Sequence, residues 1–283
     1  MIVKPALAAM LASGLIVPEK PALILPKPAI VKAENIEFTK HLLLGMPLTM
    51  GMLAPKVALP VVEFLGFSSN AANLTTYSFA SFNFGTASAD RHIIVHVLSS
   101  GPILQQRSIS SVSIGGVSAT LNFTNGTSLY PKGIARANVA TGTSGTISVT
   151  FSASVDQCII GVFSIKNISS LVSRDAEFQE LTSGTSNSFS VGDGDGTGSF
   201  PPSPAVARAN DVCLTFGGAT ANTTHTLSGG SPTPTSHGKS GFVEEIEMSA
   251  FSAVLSSGVT QTYTLAFGTG TGNSMLSFIY GPT

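Results

Sequence analysis

The chain has no tryptophan, only two cysteines and few charges. Lys, Arg, Asp and Glu together make up 10% of its 283 residues, and the formal net charge is −1. Each shortage excludes something. Without a surplus of positive charge there is no electrostatic footprint for nucleic acid, and none is expected as a partner. Cys158 and Cys213 cannot form a disulfide framework. Both lie in apolar runs, which fits buried thiols, and a bridge between them stays open because spacing alone does not set disulfide geometry. No apolar run approaches the ~20 residues of a membrane-spanning helix, so no membrane span is expected. With no tryptophan and four tyrosines, the aromatic surface on which sugars stack is scarce.

What is abundant is glycine, serine, threonine and apolar residues, the last reaching 43%. That composition is poor in helix formers and in solubilising charge. It fits a β-rich structural protein whose surface is covered by hydroxyls or by neighbours.

Residues 1–60 stand apart. Half of the 16 prolines fall here, at positions 5, 18, 21, 26, 28, 47, 55 and 60. Lys-Pro-Ala followed by Leu or Ile recurs at Lys4–Leu7, Lys20–Leu23 and Lys27–Ile30. Each proline fixes its own φ, removes a backbone donor and pushes the residue before it towards extended geometry. Neither a helix nor a central strand can run through that spacing. The stretch is nevertheless too apolar for a solvated tail. A signal peptide is the rival reading, with Lys4 as the charged start, Ala6 to Val17 as the apolar run and Ala12-Ser13-Gly14 as a poor cleavage site. Pro5 interrupts that run, and the same Lys-Pro-Ala grammar continues well beyond it.

An extended apolar arm of this kind needs another surface to lie on. Ordering its backbone costs on the order of 1–2 kcal/mol per residue, tens of kcal/mol in all. At ~25 cal/mol per Å², offsetting that takes burial on the order of thousands of Å², which subunits of an assembly can offer. The expected contact residues are Lys4, Pro5, Leu7, Pro21, Leu23, Leu25, Pro28 and Ile30, then Met46, Met50 and Met52, whose thioethers fill irregular interfaces.

From Val61 onward the hydrophobic period becomes two. Val61–Phe67 and Leu74–Phe84 read as strands carrying Phe64, Phe67, Phe79, Phe82 and Phe84 into a core. Arg91–Leu98 and Gln157–Ile165 are apolar on both faces, as strands covered on both sides are. Gly115-Gly116, flanked by alternating apolar residues, marks a tight hairpin. Thr146–Phe151, Ser188–Val191, Val212–Phe216, Gln261–Phe267 and Ser274–Tyr280 read as further strands. Residues 192–204 and 228–241 read as loops, and Phe242–Phe251 as an edge strand or a short helix. Ten to fourteen short strands at this spacing predict an all-β fold, an antiparallel β-sandwich of jelly-roll type spanning 61–283 behind the arm.

No constellation of catalytic residues emerges, and neither cofactor nor metal is expected. Asp193 and Asp195 alternate with glycines as in a calcium loop, but the rest of that pattern is missing and Asp-Gly is ordinary turn chemistry. His92 and His96 share a strand face about 13 Å apart, too far for one metal ion. Asp90 beside His92 has no nucleophile motif to complete a triad. Glu244, Glu245 and Glu247 could pair as glycosidase acids, although alternation reads Glu245 and Glu247 as the wet side of a strand.

With these residues laid out, the chain resembles virion structural proteins of tailed bacteriophages, of a group found in phages of alphaproteobacteria. The likeness lies in the Lys-Pro-Ala arm with Gly45–Leu53, in the hairpin Val112–Phe123 with Thr146–Phe163, and in the closing Met275–Pro282. It implies a non-enzymatic component of the virion, a decoration or fibre protein. Its arm would bind capsid or tail subunits, its sandwich would stabilise the particle or touch the host, and it would assemble as a homo-oligomer such as a trimer. A host-surface glycan is a further expected partner. A carbohydrate-binding module or adhesin, and a polysaccharide depolymerase, are the alternatives.

Overall fold

The computed structural model describes residues 58–102, 105–168, 171–181, 186–191, 208–220, 223–242, 246–256, 258, 261–268 and 273–282. The expected contact residues from Lys4 to Met52, and Asp193 and Asp195, lie outside the described residues. The described chain is all-β and antiparallel, as its period-two pattern predicts. It contains seventeen strands, more than the spacing suggested.

The first nine are β1 (Val61–Asn70), β2 (Leu74–Asn83), β3 (His92–Ser100), β4 (Ile109–Ile114), β5 (Val117–Ser118), β6 (Thr120–Thr124), β7 (Lys132–Asn138), β8 (Ser144–Val155) and β9 (Gln157–Lys166). They form two sheets, ordered β1-β9-β3-β7-β6 and β2-β8-β4-β5, which is jelly-roll wiring. The hairpin expected at Gly115-Gly116 joins β4 to β5, with φ of 59° and 82°, the left-handed pair that such a turn demands.

Eight strands follow: β10 (Leu171–Leu181), β11 (Ser186–Val191), β12 (Val212–Ala219), β13 (His225–Gly229), β14 (Thr235–Gly241), β15 (Glu247–Val254), β16 (Gln261–Phe267) and β17 (Asn273–Pro282). Their sheets run β10-β17-β12-β15-β14 and β11-β16-β13. Strand for strand, apart from the two-residue β5, this repeats the first nine. The sandwich is duplicated.

Register makes the repeat quantitative. Arg91 N–H donates to Ser88 O (3.0 Å) and Val139 N–H donates to Arg91 O (3.0 Å). In the second sandwich Asp211 N–H donates to Arg208 O (3.1 Å) and Leu255 N–H donates to Asp211 O (2.8 Å). Arg91 and Asp211 therefore hold the same place, and the ladders fall into step behind them: His96 faces Ile134 and Gly161, as Phe216 faces Ala250 and Leu276.

The four sheets stack in layers with three cores between them. Tyr77, Val149 and Phe151 of the outer sheet of the first sandwich close on Ile93, Val95 and Val97 of its inner sheet. The opposite side of that inner sheet, with Ile94, Leu98 and Phe163, meets Leu214, Phe216 and Phe278 of the second inner sheet along a seam. Cys213 and Ile279 then face Tyr263 and Leu265 of the second outer sheet. Both inner sheets are thus covered on both sides, which is why β3, β9 and β12 lack polar alternation.

Contacts across the seam are reciprocal. His96 stacks on its own counterpart Phe216, ring centroids 4.3 Å apart. Phe163 and Phe278 are counterparts by register. Phe163 meets His237 of β14 at 5.2 Å, while Phe278 meets Phe123 of β6 at 6.5 Å. His237 sits in the bulge that interrupts pairing of β14 with β15, and Phe123 directly follows the bulge that interrupts pairing of β6 with β7. Reciprocity of this kind is the mark of an isologous, two-fold interface, here within one chain.

Two expectations are corrected. Residues 228–241 are not simply a loop, since they contain β14. Phe242–Phe251 leads into β15, which is a central strand between β12 and β14 rather than an edge or a helix. A strand with glutamate at its start looked wet, but that carboxylate is paired inside the fold.

Candidate functional site

Four histidines are described, and burial has pushed all four below the ordinary imidazole pKa. His92 and His96 share β3 without converging on a common site. His96 is wholly enclosed, its pKa pushed down to about 3 by burial with the Lys132 ammonium adding to the effect. Its Nδ1 lies 3.3 Å from Met248 Sδ. Asp90 accepts a hydrogen bond from the Ser88 hydroxyl, which holds its carboxyl below the usual range, and so serves a turn rather than a triad.

Next to it, Arg91 is entirely buried. Its guanidinium donates to five backbone carbonyls, those of Val139, Phe84, Gly85, Thr141 and Gly142, at 2.7–3.2 Å. A fork of fixed donors suits a ring of carbonyls, so one side chain ties the loop after β2 to the loop after β7. Sequence alone gave no sign of this role.

A dense polar constellation of described residues lies at one end of the second sandwich. His225 opens β13, Glu247 and Ser249 stand two apart on β15, and Lys239 comes from β14. His225 Nδ1 is 2.7 Å from Ser249 Oγ, and its Nε2 is 3.5 Å from Glu247 Oε2. Glu247 Oε1 takes Lys239 Nζ at 2.7 Å, and its Oε2 accepts from Thr223 N–H at 3.0 Å. Gly217 makes the room, because a Cβ there would stand 2.6 Å from Ser249 Oγ. Serine, imidazole and carboxylate in this order are the groups of nucleophilic catalysis.

Burial decides against an open site. Ser249 is 1% exposed and the His225 side chain 1%, so the hydroxyl is closed to a substrate. Burial drives the His225 pKa down to about 4 against the pull of Glu247, leaving a neutral imidazole at neutral pH. The cluster is a clasp between the two sheets of its sandwich. At the same place in the first sandwich stands Ile109, over Gly133 in the place of Ser249. Glu247, expected on a wet face, is the centre of this clasp. Glu244 and Glu245 lie outside the described residues. Among the described residues no group of three or more His, Cys, Asp or Glu could hold a metal ion.

The outer faces differ in kind. On the first, the register sets hydroxyls side by side: Thr76 with Thr150 and Ser111, then Ser78 with Ser148, Ser113 and Ser118. Thr76 Oγ1 and Thr150 Oγ1 are 3.1 Å apart, Ser78 Oγ and Ser148 Oγ 3.3 Å. The second outer sheet likewise sets Ser228 opposite Thr264. No strand of either outer sheet contains Asp, Glu, Lys or Arg. The hydroxyl-covered surface expected from composition is there.

No family model matches the chain. No curated protein matches it either. Among solved structures, one likeness is to a conserved protein of unknown function, PA5104, from Pseudomonas aeruginosa PAO1. It has 11% identity and a TM-score of 0.28, over 75% of this chain and 77% of that one. A second is to the major capsid protein P2 from bacteriophage PM2. It has 11% identity and a TM-score of 0.25, over 78% of this chain and 97% of that one. At such scores neither likeness carries an argument. No helix among the described residues is long and apolar enough to cross a membrane.

Proposed function

We infer that this chain is a non-enzymatic structural protein of a bacteriophage virion. Its first sixty residues moor it to capsid or tail subunits, and its doubled sandwich stabilises the particle or meets the host. The observation that carries this reading is a division along the chain. Residues from Val62 to Tyr280 supply three cores of their own. Ahead of them runs an apolar, proline-broken stretch whose composition calls for a partner surface. Two outer faces whose strands carry no Asp, Glu, Lys or Arg support the same reading, since they can pack against neighbours without like-charge cost. Assembly as a homo-oligomer, a trimer among the cyclic forms, and contact with a host glycan belong to this reading.

The test is a chain beginning at Val61, expressed during infection in place of the full protein. It should fold, by circular dichroism, and be missing from purified particles. Undiminished incorporation of that shortened chain would overturn the reading.

A further inference from the structure

The duplication allows each described histidine to be compared with the residue in the same place of the other sandwich. His96 corresponds to Phe216, and His92 to Val212. His225 stands where the first sandwich has Ile109. His237 plays against Phe163 the part that Phe123 plays against Phe278. In all four places one copy carries an apolar side chain and the other an imidazole. Apolar residues therefore fit these places, and the histidines are departures from a working apolar pattern.

Three of the departures lie on the seam side of their strands: His92, which has the Asp90 carboxylate to attract a proton, and His96 and His237, which stack on the aromatic rings of the seam. His96 is pressed on Phe216 (4.3 Å, 27° between planes) with Met248 against its Nδ1, and its Nε2 has no hydrogen-bond partner. His237 is stacked on Phe64 of β1 (4.9 Å, 26°), with Nε2 2.8 Å from Ser252 Oγ. A proton added to either ring puts a charge among aromatic rings, with no carboxylate of the described residues paired to it. The charged groups on the elements packed around them are cationic or engaged elsewhere. Lys132 and Arg136 of β7 are positive, and Arg136 donates to Leu171 O. Glu63 of β1 pairs with Lys166 of β9 at 3.3 Å, and Glu247 of β15 with Lys239 of β14 at 2.7 Å.

We propose that the seam between the two sandwiches is an acid-sensitive joint: protonation of His96 and His237 parts the inner sheets while the cores within each sandwich stay closed. The depressed pKa of both rings agrees with this, since each takes up its proton more readily once the seam has opened. Each histidine then makes opening up to ~tenfold easier per pH unit, from pH ~6.5 down to its pKa in the closed form. The inference stands on the seam alone and does not depend on where the protein resides.

Hydroxyl-radical footprinting of the full chain between pH 7 and pH 4.5 reads it directly, because Met248, Phe163 and Phe216 report on the seam. Tyr77 and Phe151 report on the first outer core, and Tyr263 and Phe267 on the second. The expected result is seam labelling that rises tenfold or more on acidification while the outer reporters stay protected. The double variant His96→Phe, His237→Phe should hold the seam closed at pH 4.5. Flat seam labelling in the wild type would overturn the proposal, and so would a rise of all three cores together. Where the double variant fails to fold, the wild-type profile alone decides.

Discussion

His96 and Phe216 lie face to face, ring centroids 4.3 Å apart, and hold the same place in two copies of one sandwich. Counterparts can touch only where a two-fold relation brings them together, so this pair marks the middle of the seam. Replacing Phe216 by alanine should cost about 3–5 kcal/mol, the range for losing a buried phenylalanine. Urea denaturation of the variant and the wild type checks it.

Arg91 should tolerate no substitute. Arg91→Met keeps the bulk and strips five carbonyls of their donor at once, for a loss of about 3 kcal/mol or more. Arg91→Lys should recover little of it, because an ammonium cannot span the ring of carbonyls as a planar fork does. Thermal denaturation of the two variants should place both well below the wild type.

The clasp at His225 makes stability depend on pH with a definite sign. Its pKa is about 4 in the fold and ~6.5 when unfolded, so between those values the unfolded chain binds the proton and the folded chain does not. Stability at this site is therefore complete above pH ~6.5 and falls as the pH drops towards 4. The loss is on the order of 3 kcal/mol. In the variant His225→Ile, which carries the residue of the first sandwich, the difference in urea midpoint between pH 7 and pH 4.5 should shrink relative to the wild type.

Neither cysteine is in a disulfide and both are buried, Cys158 in the first core and Cys213 in the third, with the seam between them. Burial also pushes the Cys158 thiol up. A thiol reagent should count none in the native protein and two in denaturant, without prior reduction.

How much of this was legible beforehand follows from what each signal depends on. Strands set by local alternation were readable: Gln261–Phe267 matches its expected limits, and the Gly115-Gly116 hairpin stands where two adjacent glycines required it. Coverage of β3 and β9 on both sides was also readable, because it leaves an unbroken apolar run. The duplication was not. Its evidence lies in register, and at matched places the residues differ, as Arg91 and Asp211 do. β10 went unseen because Arg174, Asp175, Glu177 and Glu180 break its apolar pattern. The clasp was hidden for a related reason. His225, Lys239 and Glu247 stand on three strands of two different sheets, and only the packing of β13 against β14 and β15 across the sandwich makes them neighbours.

The central claim, that the chain is part of a virion, is tested most directly by quantitative peptide mass spectrometry on gradient-purified particles. The account predicts that its peptides co-sediment with the other virion proteins at a fixed number of copies per particle, those from residues 1–60 included. Their absence from particles, with the protein present in the infected cell, would contradict it.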